Sequence, residues 1–342
     1  MASPYENLPA RSYWRSGVAE RAPLDPGALY TPRFAVTPRM QVATAGSCFA
    51  QHIGRSLRQA GLRVIDAEPL PATVPEALAH DHGYGLYSAR YGNIYTAAQL
   101  LQLWREAEGT HIPQDRVWQR DGRFFDAQRP GVDPRGHASA EAVLRHRAHH
   151  LTRVQAAFRA ADLLVFTFGL TEAWVHTASG TVFPTAPGTI AGTHDPALYS
   201  FRNFNALEVL RDFESFLKAL RKVNRRVKLV ITVSPVPLTA TASGQHVEVA
   251  TCYSKSVLRA VCGMLVQRHP EIDYFPSYEL ITSQNSRGAY FEANQRSVSE
   301  LGVAAAMELF LNGHGLHPTA AQAADPGEDP RCEDALLEAF AR

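Results

Sequence analysis

The residues best suited to chemistry begin with a serine at a break in the hydrophobic pattern. Residues 40–50 read Met-Gln-Val-Ala-Thr-Ala-Gly-Ser-Cys-Phe-Ala. A short apolar run ends at Gly46-Ser47, and a helical pattern starts with Phe49, Ile53, Leu57 and Ala60. This puts the Ser47 hydroxyl at a strand end, close to the unpaired N–H groups of a helix start, where negative charge is stabilised. Such a serine is either a nucleophile or a plain N-cap, and geometry alone puts the cap first. Cys48 beside it is a second nucleophile or, more simply, a small buried residue opening the helix.

A neutral serine needs a base to take its proton and a third group to orient that base. His246 is the first candidate base, since it falls near the loop after an apolar run at 227–233; the plainer reading is a surface histidine at a helix start. His176 is the second, and its alternatives are to orient a loop or to bind substrate or product. Glu172 follows another apolar run and Gly169, so it orients a histidine, binds a polar substrate group, or caps a helix or forms a salt bridge. Asn93 donates its amide to an oxyanion or stabilises the Gly92-Asn93 turn. Arg90 holds an anionic substrate or serves as an ordinary surface arginine, and Lys255 reaches an anion or packs as a snorkelling lysine. His146 and His150 share a helix face, with His80 and His82 nearby in sequence, but no His-Glu-x-x-His motif is present. Neither a metal nor a cofactor is expected.

The elements that must position these groups follow a strand–helix–strand rhythm. Strands are predicted at 41–45, 62–65, 162–168, 227–233 and 272–275. Helices are predicted at 50–60, 97–107, 138–160, 205–221, 249–268 and 302–310. Asp121-Gly122 marks a hairpin within 117–125. Residues 175–204 read as loop-rich, with a small hairpin around Ser179-Gly180. Three strands each end in a polar loop: Ser47, then Gly169-Leu170-Thr171-Glu172, then Ser234-Pro235. Parallel sheets collect ligands beyond such carboxyl ends. The organisation expected is an N-terminal arm over 1–39 that packs Tyr5, Trp14, Tyr30 and Phe34 on the body. A domain over 40–312 follows, with an excursion at 69–137 and a tail over 313–342 rich in Pro, Ala and Asp.

The chain has 342 residues, is 45% hydrophobic, and balances 34 basic against 33 acidic residues for a net charge of +1. That balance gives no support to a nucleic-acid surface. Cys48, Cys252, Cys262 and Cys332 form no CxxC pair, so a zinc knuckle or redox motif is not expected. Residues 1–14 lack the basic-then-apolar pattern of a signal peptide, and no apolar run approaches membrane-spanning length; a cytoplasmic location is the expectation.

The run Ala45-Gly46-Ser47-Cys48-Phe49-Ala50 resembles the signature of the GSCFA-domain family. So do the segments Ser88–Thr96, Thr167–Trp174, Val233–Leu238, Tyr253–Ser256 and Tyr274–Glu279, and the likeness covers roughly residues 35–312. That family is similar to SGNH hydrolases, which implies a three-layer α/β/α fold with a central parallel sheet. It also implies esterase or acyltransferase chemistry on a small-molecule acyl ester, a carbohydrate or a lipid-like one. The resemblance makes Ser47 the nucleophile and gives the oxyanion hole to the Ser47 backbone, Gly92, Asn93 and Thr171. Thr171 stands there because the family's block-three asparagine is missing. The last-block Asp-x-x-His is also missing, with Asn294-Gln295-Arg296-Ser297 in its place. Two rival readings follow from that departure: a non-catalytic ligand-binding module on the same scaffold, and an assembly protein with an aromatic arm.

Overall fold

The computed structural model describes residues 3–316, 330 and 333–341. Most of the tail, Cys332 included, lies outside the described residues. Five parallel strands form the central sheet: β1 (Gln41–Gly46), β2 (Arg63–Val64), β5 (Leu163–Phe168), β9 (Lys228–Val233) and β10 (Ile272–Tyr274). Their order is β10-β9-β5-β1-β2. A two-stranded hairpin, β3 (Val117–Arg120) with β4 (Arg123–Asp126), turns at Asp121 and Gly122, both at positive φ. An antiparallel sheet of β6 (Glu172–His176), β7 (Val182–Phe183) and β8 (Tyr199–Asn203) follows β5.

The sheet strands are buried on both faces, which is why they read as continuous apolar runs rather than as alternation. Leu164, Phe166, Phe168, Leu229, Ile231 and Val233 share one core with α2 (Ala97–Ala107), α3 (Ala140–Ala160), α4 (Ala206–Val223) and α5 (Val247–Arg268). Leu163, Val165 and Val230 point the other way. They meet α1 (Phe49–Gln59), the short α6 (Ser277–Ile281) and α7 (Glu300–Gly313). Helices on both faces make three layers, α/β/α. α5 has the length and mean hydropathy, 1.2, of a membrane span, although no such run was expected from the sequence. Here its Leu258, Val261 and Leu265 are buried in the first core.

The helix starts carry their own signals. Thr96 and Asn205 each form a reciprocal capping box, with Gln99 and Glu208. Ser139 and Ser299 cap α3 and α7. The loop-rich reading of 175–204 holds over 184–198, and the hairpin expected around Ser179-Gly180 is the antiparallel β6–β7 pair; the addition is β8, which pairs with β6 over five residue pairs. Of the N-terminal aromatics, Tyr30 is buried and its hydroxyl donates to Asp273 at 2.9 Å. Phe34 is half-buried and takes the Lys228 ammonium over its ring. Tyr5 and Trp14 instead stay exposed, at 68% and 66%.

The excursion is fastened to the body by buried charge. Arg129, held by Asp126 at 2.8 Å, faces Glu68 on the body at 3.9 Å, and the Arg90 N–H donates to Glu68 at 2.6 Å. Arg147 on α3 holds Glu106 through two nitrogens. The His150 ring, with its proton on Nδ1, donates to Glu68 at 2.7 Å. Burial alone would raise the Glu68 carboxyl, but the His150, Arg129 and Arg90 N–H contacts outweigh it and hold it at about 2. Burial, with Arg129 adding to it, pushes His150 down to about 3.

Candidate functional site

β1 and β5 lie side by side, yet the chain leaves β1 toward β2 and leaves β5 toward β9. Their following loops therefore diverge and open a crevice at the carboxyl ends, the place where parallel sheets bind ligands. Ser47 follows β1 there, and Gly169 follows β5.

Gly46 makes the turn into Ser47. Its φ of +135° suits glycine, and an added Cβ would stand 2.4 Å from the Thr167 carbonyl oxygen. Ser47 itself is 2% exposed. It is not an N-cap: Cys48 holds that position, without a side-chain cap bond, and the Ser47 Oγ has no hydrogen-bond partner among the described residues. Burial does not single this hydroxyl out, because those of Thr44 and Thr167 are also buried without a partner. Position does, since only Ser47 lies past the strand end. The Ser47 N–H extends the β1–β5 ladder by donating to the Thr167 carbonyl at 3.1 Å. That corrects its expected place in an oxyanion hole, because the donor is already spent.

Gly169 is the contact point of the crevice. A Cβ there would meet the Ser47 Cβ at 2.9 Å and Tyr95 at 3.1 Å. The Gly169 N–H donates to the Tyr95 carbonyl, and the Gly46 carbonyl accepts from the Ile94 N–H at 2.8 Å. The segment 92–95 is thereby strapped across both strand ends. Lys255, 1% exposed on α5, donates its ammonium to the Gly169 carbonyl at 2.8 Å. Its neighbour Ser254 accepts from the Thr171 N–H. Lys255 is therefore fully buried against the same glycine as Ser47, rather than snorkelling.

The start of the strap, Gly92 and Asn93, lines a cavity of about 10 Å³, roughly one water, together with Gln51, Tyr87, Gly131 and Glu333 among others; Ser47 and Gly169 are not among its lining residues. The Tyr87 hydroxyl donates to Asn93 Oδ1 at 2.5 Å, and Asn93 Nδ2 donates to the Glu333 carboxylate at 2.5 Å. The Tyr95 hydroxyl reaches the same carboxylate oxygen at 3.4 Å.

The other expected residues lie elsewhere or are engaged. His246 is the exposed N-cap of α5, and its Nδ1 accepts from the Glu248 N–H at 3.2 Å. His176 ends β6 and bonds Ser179 at 2.9 Å, against a separate cavity of about 380 Å³ bordered by Ser179, Arg105, Arg202 and Arg211. The Thr171 hydroxyl is taken by Asn203 at 2.7 Å. Glu172 accepts from the Thr241 hydroxyl at 2.8 Å, and burial raises its carboxyl above the usual range. Arg90 is buried; it donates to the His82 carbonyl at 2.8 Å and pairs with Asp133 at 3.0 Å while lying over the Tyr84 ring. Asn294 holds Ser297 at 3.0 Å, a side-chain pair with no titratable group.

So the structure gathers Ser47, Gly92 and Asn93 around the strap. It leaves His246, His176 and Arg90 in other contacts. Glu333, Tyr95, Tyr87 and Gly131 join the site without having been anticipated. Lys255 had a usable signal, because it shares the buried α5 stripe with Leu258 and Cys262 at helical spacing.

The GSCFA family profile matches residues 41–310. The chain belongs to the GSCFA family. Its matched span contains the central sheet and every site residue named above except Glu333. No curated protein matches this GSCFA chain.

Proposed function

We propose that this GSCFA protein uses Ser47 for ester hydrolysis or acyl transfer on a small carbohydrate or lipid-like ester, in the manner of the SGNH hydrolases that its motifs resemble. The observation that supports the reading is a buried serine past β1 that packs at Gly169 together with Tyr95, on a strap whose Asn93 amide and Tyr95 hydroxyl are already set on a carboxylate. Asn93 and Tyr95 hold one oxygen of that carboxylate, and its other oxygen lies beside Gly92. Donors fixed before charge develops are worth about 3 kcal/mol each in the transition state.

In this reading Ser47 Oγ bonds to the acyl carbon, and the carbonyl electron pair moves onto oxygen beside Asn93. The Oγ proton passes to a basic nitrogen and then to the departing alkoxide. Water or a second hydroxyl releases the acyl group and regenerates the serine. His246 fills the base role only by giving up its bond to the Glu248 N–H. Lys255, in its unprotonated form, is the alternative already seated on Gly169.

A fluorophosphonate probe with mass-spectrometric mapping tests this. Labelling at Ser47 is expected in wild type and in Cys48→Ala, and is expected to vanish in Ser47→Ala. Loss in Lys255→Met with retention in His246→Ala assigns the base to the lysine; the reverse pattern assigns it to the histidine. The binding-module reading is favoured by one observation, the Asn294–Ser297 pair that cannot take a proton. It predicts no Ser47 adduct with any probe, together with saturable ligand binding.

A further inference from the structure

The C-terminal 3-10 segment Glu333–Phe340 keeps Leu336 and Phe340 exposed, at 51% and 66%, yet sends Glu333 inward to 6%. An apolar side chain left outside while a carboxylate goes in reverses the usual sorting. Burial of a carboxylate costs free energy unless charge-assisted hydrogen bonds receive it. Asn93 Nδ2 and the Tyr95 hydroxyl do so on Oε2.

The other oxygen sits in a socket made by leaving side chains out. Oε1 lies 3.0 Å from the position a Cβ would take on Gly92 and 2.8 Å from that on Gly131. A side chain at either position would evict it. Gly92 also has φ +68°, a conformation that favours glycine. The socket therefore fits a planar carboxylate and little more.

We infer that this socket is a subsite for a carboxylate group of the ligand, occupied in cis by Glu333. A carboxylic acid is what ester hydrolysis releases, so Glu333 stands as an internal product mimic on the strap that also packs over the end of β1. The link to Ser47 rests on the function proposed above; the socket itself does not. Glu333 must leave before a ligand carboxylate enters, so bound ligand and seated Glu333 exclude each other.

The test uses the full-length chain with sodium acetate as probe, against sodium chloride at equal ionic strength. Acetate replaces the atoms that Glu333→Ala removes. Binding is read by ¹³C-acetate line broadening and by the rise in thermal midpoint. Acetate is expected to bind Glu333→Ala roughly tenfold or more tightly than wild type, because the seated carboxylate holds the receptive state at a small fraction. Adding Gly131→Ala is expected to abolish that gain. Glu333→Gln keeps the shape and the Asn93 contact, so it serves if Glu333→Ala does not fold; acetate should bind it more tightly than wild type and less tightly than Glu333→Ala. Equal acetate affinity in wild type and in the Glu333 variants overturns the inference. The same variants are treated with fluorophosphonate. Faster Ser47 labelling in Glu333→Ala joins the socket to the serine chemistry. Acetate binding without any Ser47 adduct keeps the socket and discards the chemistry.

Discussion

Gly169→Ala is the sharpest single probe of the crevice. Gly169 is not among the positive-φ glycines, so alanine meets no backbone penalty there. The whole cost comes from the new methyl, which would stand 2.9 Å from the Ser47 Cβ, 3.1 Å from the Tyr95 Cδ1 and 3.2 Å from the Tyr95 Cα. Carbon pairs settle at about 3.5–4.0 Å, so all three contacts are too short by several tenths of an ångström. Two of the three atoms are backbone or the first side-chain atom and cannot rotate away. That places the cost in the upper part of the overpacking range, about 2–3 kcal/mol. With a urea slope of about 3 kcal/mol/M, the midpoint should fall by about 0.7–1 M with no change in slope. Ser47→Gly deletes the atom struck first, so the double variant should recover about 1 kcal/mol relative to additivity. Under the proposed chemistry, displacement of Oγ by near 1 Å should also slow probe labelling of Gly169→Ala by about a hundredfold. Strict additivity in the cycle would refute the claim that Gly169 and Ser47 share one packing contact.

Three other outcomes are expected. Lys255→Met should lower stability by about 1–3 kcal/mol, since the Gly169 carbonyl loses its donor within the protein, and Lys255→Gln should restore part of it in urea melts. Stability should decline as pH falls from about 6.5 toward about 3. The unfolded chain takes up a proton at His150 through that window, while the buried ring stays neutral, and His150→Leu should flatten the slope. Finally, iodoacetamide on the native chain should modify the exposed Cys252 and spare Cys262. Burial pushes the Cys262 thiol far up, and peptide mass mapping reads the difference.

The parallel sheet was legible because its strands are unbroken apolar runs that stop at Gly46-Ser47, Gly169 and Ser234-Pro235. A strand buried on both faces needs no alternation to be recognised, and its stop marks the crevice. β6 was legible only as one arm of the hairpin around Ser179-Gly180, and β8 not at all, because Glu172, His176, Ser200, Arg202 and Asn203 interrupt the apolar Ala173, Val175 and Tyr199 that these strands bury. Ser47 stood out by position, but its side chain was first read as a cap. The cap position went one residue further, to Cys48, and left the Ser47 hydroxyl buried without a hydrogen-bond partner among the described residues. Glu333 had no local signal at all, since its partner Asn93 lies 240 residues away in the chain. His246 follows the expected strand, and the helix it opens uses the ring to satisfy its own first turn, the plainer of the two roles its position offered.

The buried ion network that ties Glu68, Glu106 and Asp126 to Arg129, Arg147 and His150 sets a limit on how this protein can vary. Half of those groups lie in the excursion and half on its two anchoring flanks. Trimming the excursion would take both carboxylate partners, Glu106 and Asp126, from the buried Arg147 and would take Arg129 from Glu68, at a cost of several kcal/mol. The cavity edge at Gly83 and Gly131 carries none of these charges, so single substitutions there are the changes that leave the network whole.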